Sequence, residues 1–390
     1  MVKSKRILII SPFFFPEPIS TGKFNTDMVL ALRDKGHKVT VICSHPLYPK
    51  WVPEKSEEQL SEIKIIRGGG NLRYSKRPVL RRATLEIWYA FFVMLKIFRH
   101  RKQIDIIIPV FPPSLAFYVI RPLLKKNTIK IGMVHDLQEV YTKSKKGILN
   151  KSIGFLIKIV EQNTFKACHK LIFLSKEMKE TAKVFYSLNN DKLTTQYPFS
   201  TIMESEMTND LEEILPKEKT HIVYSGALGE KQNPNGVYDF FNRASQKLNN
   251  ICFHFFSQGH LFEKLKSRNN NPKIFFHDLV PRKNIEELYK RSSVQIIPQL
   301  SGTSKGSLPS KLPNLLLSGC NILFITDKGS EIENLFIDHK LNKVVTSWNH
   351  EILFNALNEI LRNLNSDKEN QIKVAKELFS INSMTEKITS

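Results

Sequence analysis

Pro309, Ser310 and Lys311 stand directly before Leu312, Pro313, Asn314, Leu315, Leu316 and Leu317, a run that closes on Ser318 and Gly319. A helix opening there would present unpaired backbone N–H groups, the positive end of its dipole, a hydroxyl and an ammonium at one point. That combination suits an anion such as a diphosphate. Asn314, one turn in, could hydrogen-bond a ribose hydroxyl. The apolar stretch Asn321 to Thr326 that follows reads as a buried strand. An ordinary helix start with a solvated lysine fits the same residues, so the motif gains weight only beside others.

Three further turns follow apolar runs, and in open α/β sheets ligands bind beyond the carboxyl ends of strands. After Ile7 to Ile10 come Ser20, Thr21, Gly22 and Lys23, small residues that could cradle a phosphate at a helix start. This is not a P-loop, which needs Gly where Glu17 stands and Ser or Thr where Phe24 stands. After Val134 come His135 and Asp136, an imidazole and a carboxylate that could position a sugar hydroxyl or carry a proton. After Tyr224 come Ser225, Gly226, Ala227, Leu228, Gly229, Glu230, Lys231 and Gln232, where glycines let backbone approach a ligand and Lys231 could neutralise phosphate. Glu331, following Gly329 and Ser330, could bind a ribose hydroxyl or only steady a helix N-terminus.

Several chemistries lack their residues. There is no His-Glu-x-x-His zinc site, no Gly-x-Gly-x-x-Gly dinucleotide loop and no Asp-x-Asp pair for a metal diphosphate. Cys43, Cys168, Cys252 and Cys320 show no paired spacing, so neither a zinc site nor a disulfide framework is indicated, and a reducing cytoplasm is the simplest compartment. Lysines and helix dipoles stabilising a diphosphate leaving group fit what remains.

The elements that must hold these turns alternate along the chain. Strand-like runs at Ile7 to Ile10, Val39 to Cys43, Ile104 to Pro109, Lys130 to Val134 and Lys170 to Leu174 are separated by helical stretches at Phe24 to Lys35, Val79 to Arg99 and Gly147 to Ala167. The pattern restarts at His221 to Tyr224 and continues through Cys252 to Phe256, Lys273 to Phe276, Val294 to Pro298 and Ile322 to Ile325. Strands alternating with helices predict doubly wound parallel sheets, and the restart predicts two of them. At 390 residues the chain fits two domains, placed at 1–205 and 206–390, with a final helix that could pack back on the first.

Charge is divided unevenly. Residues 1–200 hold 35 Lys and Arg against 15 Asp and Glu, while residues 201–390 hold 23 against 22, so nearly all of the net +21 lies in the first half. A basic half implies a polyanionic partner, lipid or nucleic acid. The stretch Arg73 to Lys102 favours lipid: Lys76, Arg77, Arg81 and Arg82 lead into Leu85 to Phe98 with Trp88, Tyr89, Phe91 and Phe92, then Arg99, His100, Arg101 and Lys102. Its apolar part falls short of the roughly 20 residues a span needs, which predicts interfacial contact through Arg77, Arg81, Arg82 and Trp88. A core helix with basic ends is the alternative. No zinc-finger spacing, RNP-type pattern or helix-turn-helix signal supports nucleic acid.

Taken in order, Leu8 to Pro12, Phe15-Pro16-Glu17, Gly36 to Val41, Pro46-Leu47-Tyr48-Pro49, His135-Asp136-Leu137, Tyr224-Ser225-Gly226 with Gly229 to Gln232, and Pro309-Ser310-Lys311 through Gly319 resemble the family 4 glycosyltransferases. Within that family the pattern is similar to the fucosamine-transferase and colanic-acid subgroup of bacterial surface polysaccharide synthesis. The resemblance implies a GT-B fold, two Rossmann-like domains facing a cleft, with the nucleotide sugar held mainly by the second. It implies a retaining transfer, from a UDP-sugar or other nucleotide donor, to a lipid-linked oligosaccharide precursor of O-antigen, capsule or exopolysaccharide. No metal or other cofactor is implied, and the protein would work in the cytoplasm on the inner face of the plasma membrane.

Carried over by position, Lys231 and Lys311 would neutralise the donor diphosphate with help from Ser310. The Gly22 loop would approach the phosphates, and His135 or Asp136 would contact the donor sugar or acceptor. Two departures stand out: Gly306 and Asn314 occupy the places of a glutamate pair common in the wider family, and Leu137-Gln138-Glu139-Val140 replaces the usual Leu-Trp-Pro-Glu. A GT-B-shaped membrane scaffold without donor binding is the competing expectation that the first departure raises.

Overall fold

The computed structural model describes residues 4–17, 19–47, 50–100, 104–137, 148–199, 208–304 and 308–390; Gly306, and Gln138 through Val140, lie outside them. The chain forms two compact units, Met1–Tyr197 with Ile381–Ser390, and Pro198–Ser380. The first unit thus closes at Tyr197 rather than at residue 205, and the chain returns to it at Ile381.

The first unit holds a seven-stranded, wholly parallel sheet in the order β3-β2-β1-β4-β5-β6-β7. Its strands are β1 (Arg6–Ile10), β2 (Lys38–Ser44), β3 (Ile63–Gly68), β4 (Ile106–Phe111), β5 (Ile129–Val134), β6 (Lys170–Phe173) and β7 (Leu193–Thr195). Helices α1 (Ser20–Asp34), α2 (Pro78–His100), α3 (Leu115–Ile120), α4 (Ile148–Ala167) and α5 (Lys176–Tyr186) connect them. β4 is buried at every position, as expected of a central parallel strand covered on both faces. One core joins Leu8, Ile42, Ile107, Phe111 and Val134 of the sheet to Tyr89 and Val93 of α2, Phe117 of α3 and Phe165 of α4.

The second unit repeats the plan with a six-stranded parallel sheet in the order β10-β9-β8-β11-β12-β13. The strands are β8 (Thr220–Ser225), β9 (Ile251–Phe256), β10 (Ile274–His277), β11 (Val294–Pro298), β12 (Ile322–Ile325) and β13 (Lys343–Val345). The helices are α6 (Pro234–Lys247), α7 (His260–Arg268), α8 (Ile285–Arg291), α9 (Leu312–Leu317), α10 (Glu331–Asp338), α11 (His350–Arg362) and α12 (Lys368–Leu378). The last helix, α13 (Ile381–Thr389), belongs to the first unit, where it lies against α1 and Lys387 donates to Thr195 O at 2.9 Å and Gln196 Oε1 at 2.7 Å. In each sheet the strand order reverses once, between β1 and β4 and between β8 and β11. Those reversals splay the connecting loops apart and leave a crevice at the carboxyl ends of the strands.

Candidate functional site

At the second unit's reversal, the chain leaves β8 through Gly226, whose φ of +116° demands glycine although a Cβ there would meet nothing. A 3-10 turn over Glu230–Gln232 follows, closed by the Gly229 N–H donating to Gln232 Oε1 at 3.0 Å. Asn233 then caps α6 by accepting from Gly236 N at 3.2 Å. Lys231 sits exposed on this turn, and its carbonyl accepts the Leu300 N–H at 2.7 Å, tying the turn to the loop after β11.

Lys311 takes a different place from the one its spacing suggests. The helix it opens, α9, has only six residues, and Lys311 is its N-cap without a side-chain cap. The ammonium turns inward, donating to Ser225 O at 2.9 Å and Ile296 O at 3.2 Å, with the Tyr224 ring centroid 4.8 Å away. Two of its three N–H donors are engaged, so it is a strut between β8 and β11 as well as a local charge. Burial lowers its pKa from 10.5 to about 7.

Gly226, Lys231, Ser310 and Lys311 all line one cavity of about 290 Å³, whose wall also includes Tyr224, Gln299 and Thr303. The arrangement offers an exposed ammonium, a buried ammonium, a hydroxyl and glycine backbone at a sheet reversal, which can compensate a dianion. Asn314 and Glu331 are not on that wall. The Asn314 carbonyl accepts from Ser318 N at 3.0 Å and Ser318 Oγ at 2.9 Å, and Glu331 stands in the first turn of α10, capped by Ser330 Oγ accepting from Glu333 N at 3.1 Å. For Glu331, of the two sequence readings, the dipole one matches this position.

A support that residue types did not announce lies behind the cavity. Thr326 Oγ1 donates to Gln299 Oε1 at 2.6 Å, and Trp348 Nε1 donates to Gln299 O at 3.1 Å. Asp327 accepts from Gly302 N at 2.9 Å, Ser304 N at 3.2 Å and Ser304 Oγ at 2.7 Å, fixing the loop that follows β11. Burial raises the Asp327 pKa, but these hydrogen bonds outweigh it and leave it lowered. The only sequence signal for this set was its position just after strands.

In the first unit, Gly22 lies in the first turn of α1, where an added Cβ would sit 2.8 Å from the Cβ and carbonyl oxygen of Glu17. Glu17 is 3% exposed and its Oε2 accepts the Leu47 N–H at 2.7 Å, so Gly22 is required by the loop folded over it. His135 packs edge-on to Phe24 with ring centroids 4.7 Å apart, and its Nε2 is buried without a partner. Burial lowers its pKa to about 3, keeping the imidazole neutral. Asp136 is exposed, with Oδ1 accepting the Leu137 N–H at 2.9 Å.

The basic, aromatic segment is α2, and no helix among the described residues is long and apolar enough to cross a membrane. Its inner face carries Leu85, Tyr89, Val93 and Ile97, while Leu80, Ile87, Phe91, Leu95 and Phe98 are each at least half exposed. Trp88 is not part of that outer stripe. It is half-buried, donates from Nε1 to Tyr74 Oη at 2.6 Å and lies against Phe92, which corrects its expected place as a surface anchor. Arg77 is exposed, whereas Arg81 stacks 4.3 Å from the Trp51 ring centroid and Arg82 is half-buried.

Residues 21–199 match the model of Glycosyltransferase Family 4. A protein of Escherichia coli K12 named for colanic acid biosynthesis glycosyl transfer, WcaI, is 24% identical over 356 residues, covering 85% of each chain. Among solved structures, WaaG, a glycosyltransferase involved in lipopolysaccharide biosynthesis, superposes with a TM-score of 0.68 at 15% identity, covering 98% of this chain and all (100%) of WaaG. Sucrose-phosphate synthase from Thermosynechococcus elongatus gives 0.69 at 13% identity, covering 98% and 97%. The two parallel-sheet α/β units and these superpositions give the chain the GT-B fold, and within it residues 21–199 are similar to the family 4 glycosyltransferases.

Proposed function

We propose that this enzyme transfers a sugar from a nucleotide donor, a UDP-sugar, to a lipid-linked oligosaccharide precursor of a bacterial surface polysaccharide. The observation that supports it most is the cavity at the β8/β11 reversal, where Gly226, Lys231, Ser310 and Lys311 converge. Lys231 and the Ser310 hydroxyl would face the donor diphosphate from its open side, and Lys311 would add charge from behind. Negative charge grows on the departing phosphate as the glycosidic bond breaks, so these cations act most strongly in the transition state. In the retaining course proposed here the acceptor hydroxyl attacks on the face the phosphate leaves, and that phosphate takes the hydroxyl proton. No separate nucleophile or metal is needed. His135, neutral and buried, and Asp136, exposed beside it, are the groups proposed to orient sugar hydroxyls.

Similarity to WcaI, named for colanic acid biosynthesis, and to WaaG, involved in lipopolysaccharide biosynthesis, supports the polysaccharide setting. The outer stripe of α2, beside Arg77 in a half of the chain that carries nearly all the net charge, supports peripheral contact with an anionic cytoplasmic membrane surface. Acceptor-dependent UDP release, measured with a panel of UDP-sugars and lipid-linked oligosaccharides, tests the reading. A product whose new linkage keeps the donor's anomeric configuration supports retention, and no release with any donor favours the scaffold alternative.

A further inference from the structure

His221 on β8 and Cys252 on β9 are register partners, and His254, two residues beyond Cys252, points to the same face of the second unit's sheet. His221 Nδ1 lies 3.0 Å from His254 Nε2, and one ligand atom from each of His221, Cys252 and His254 falls within 4.8 Å of the others. Tetrahedral zinc spaces such nitrogen and sulfur donors by roughly 3.3–3.8 Å, so little movement would close them on an ion. His221 is 1% and His254 2% exposed, while Cys252 is only half-buried and leaves a side from which an ion can enter.

The outer hydrogen bonds are those that metal-bound imidazoles use. His221 Nε2 lies 2.8 Å from Pro216 O, and a carbonyl only accepts, so the proton is on Nε2 and the Nδ1 lone pair faces the cluster. His254 Nδ1 lies 3.1 Å from His277 Nε2, which can serve as the acceptor that fixes the second imidazole. We propose that His221 Nδ1, His254 Nε2 and the Cys252 thiolate bind one zinc ion, with water in the fourth position. A thiolate with two imidazoles favours zinc over magnesium or calcium. On binding, the Cys252 thiol releases its proton to solvent. His254 moves its N–H from Nε2 to Nδ1, donating to His277 Nε2, and His277, which donates from Nε2 in the metal-free chain, moves its own proton to Nδ1. One proton is released per ion.

The site is separate from the donor cavity. His221 precedes Ser225 by four residues, roughly 13 Å along a strand, so the ion would brace β8, β9 and the approach to β8 at Pro216 without touching the transfer chemistry.

The test uses the tag-free full chain, stripped of metal and reduced, then loaded with Zn²⁺ or Co²⁺. We expect one zinc retained per chain, a higher Tm with zinc, and a sulfur-to-cobalt charge-transfer band. Cys252→Ser abolishes the band and the Tm gain, and His277→Asn weakens zinc binding about 10–100-fold. Because Cys252 is half-buried, the serine variant should fold, and its Tm without metal checks that. Failure to retain zinc, or a cobalt band that survives Cys252→Ser, would overturn the site and leave the three histidines as a metal-free hydrogen-bonded chain. Either outcome is independent of whether the enzyme binds a nucleotide.

Discussion

The Lys311 ammonium donates to the backbone carbonyl of Ser225 at 2.9 Å, so the turn before α9 is fastened to the end of β8 by the same charge proposed to face a diphosphate. Its pKa of about 7 gives this contact a pH signature. A lysine whose folded pKa is below its unfolded one binds fewer protons when folded, so stability rises as pH increases from about 7 towards 10.5. The contribution over that window is roughly 3–5 kcal/mol. Lys311→Met should flatten the corresponding part of a urea-unfolding profile against pH; an unchanged profile would argue against a buried, titrating lysine.

A diphosphate would favour the charged form of Lys311. Nucleotide binding at pH 8 should therefore draw a proton from solvent. Calorimetry in buffers of different ionisation enthalpy reads this directly, and the uptake should vanish in Lys311→Met. Binding with no proton exchange in the native enzyme would separate Lys311 from the phosphates.

Lys231 presents the complementary case. It is exposed and its side chain supports nothing in the fold, so Lys231→Ala should leave Tm within a degree or so. Loss of one charge-assisted phosphate contact of about 1.5–3 kcal/mol should lower kcat/KM about 10- to 100-fold. Near-normal turnover would refute its role at the donor.

On α2 the two faces should behave oppositely. Replacing Phe91 and Leu95 by Ser removes outer apolar surface and should cut co-sedimentation with anionic vesicles at least about tenfold with little change in Tm. Trp88→Ala, which breaks the Tyr74 bond and the contact with Phe92, should instead cost about 2 kcal/mol or more of stability. If Trp88→Ala alone abolished vesicle binding at full stability, the assignment of faces would be reversed.

Much of the scaffold was readable because buried parallel strands are continuous apolar runs. Ile7 to Ile10 and Val294 to Pro298 needed little correction. β3 escaped notice because Lys64 and Arg67 interrupt it at the sheet edge, and β7 and β13, at three residues each, are too short to show a period. The turn from Gly226 to Lys231 was readable because its geometry depends on neighbours in sequence. The site was not readable where side-chain direction decides: nothing in Ser310-Lys311 says that the ammonium turns towards two carbonyls. The cluster of His221, Cys252 and His254 was hidden for another reason, since only the register of β8 and β9 brings residues some 31 positions apart together.

Nucleotide binding at the β8/β11 cavity is the claim on which the proposed sugar transfer depends. A thermal-shift panel of UDP, GDP, ADP, CMP and dTDP on the native chain and on Lys231→Ala measures it most directly. Stabilisation by UDP, approaching about 2.7 kcal/mol at a hundredfold excess over Kd and much reduced in the variant, is the predicted result. No stabilisation by any nucleotide, with both proteins folded, would contradict it.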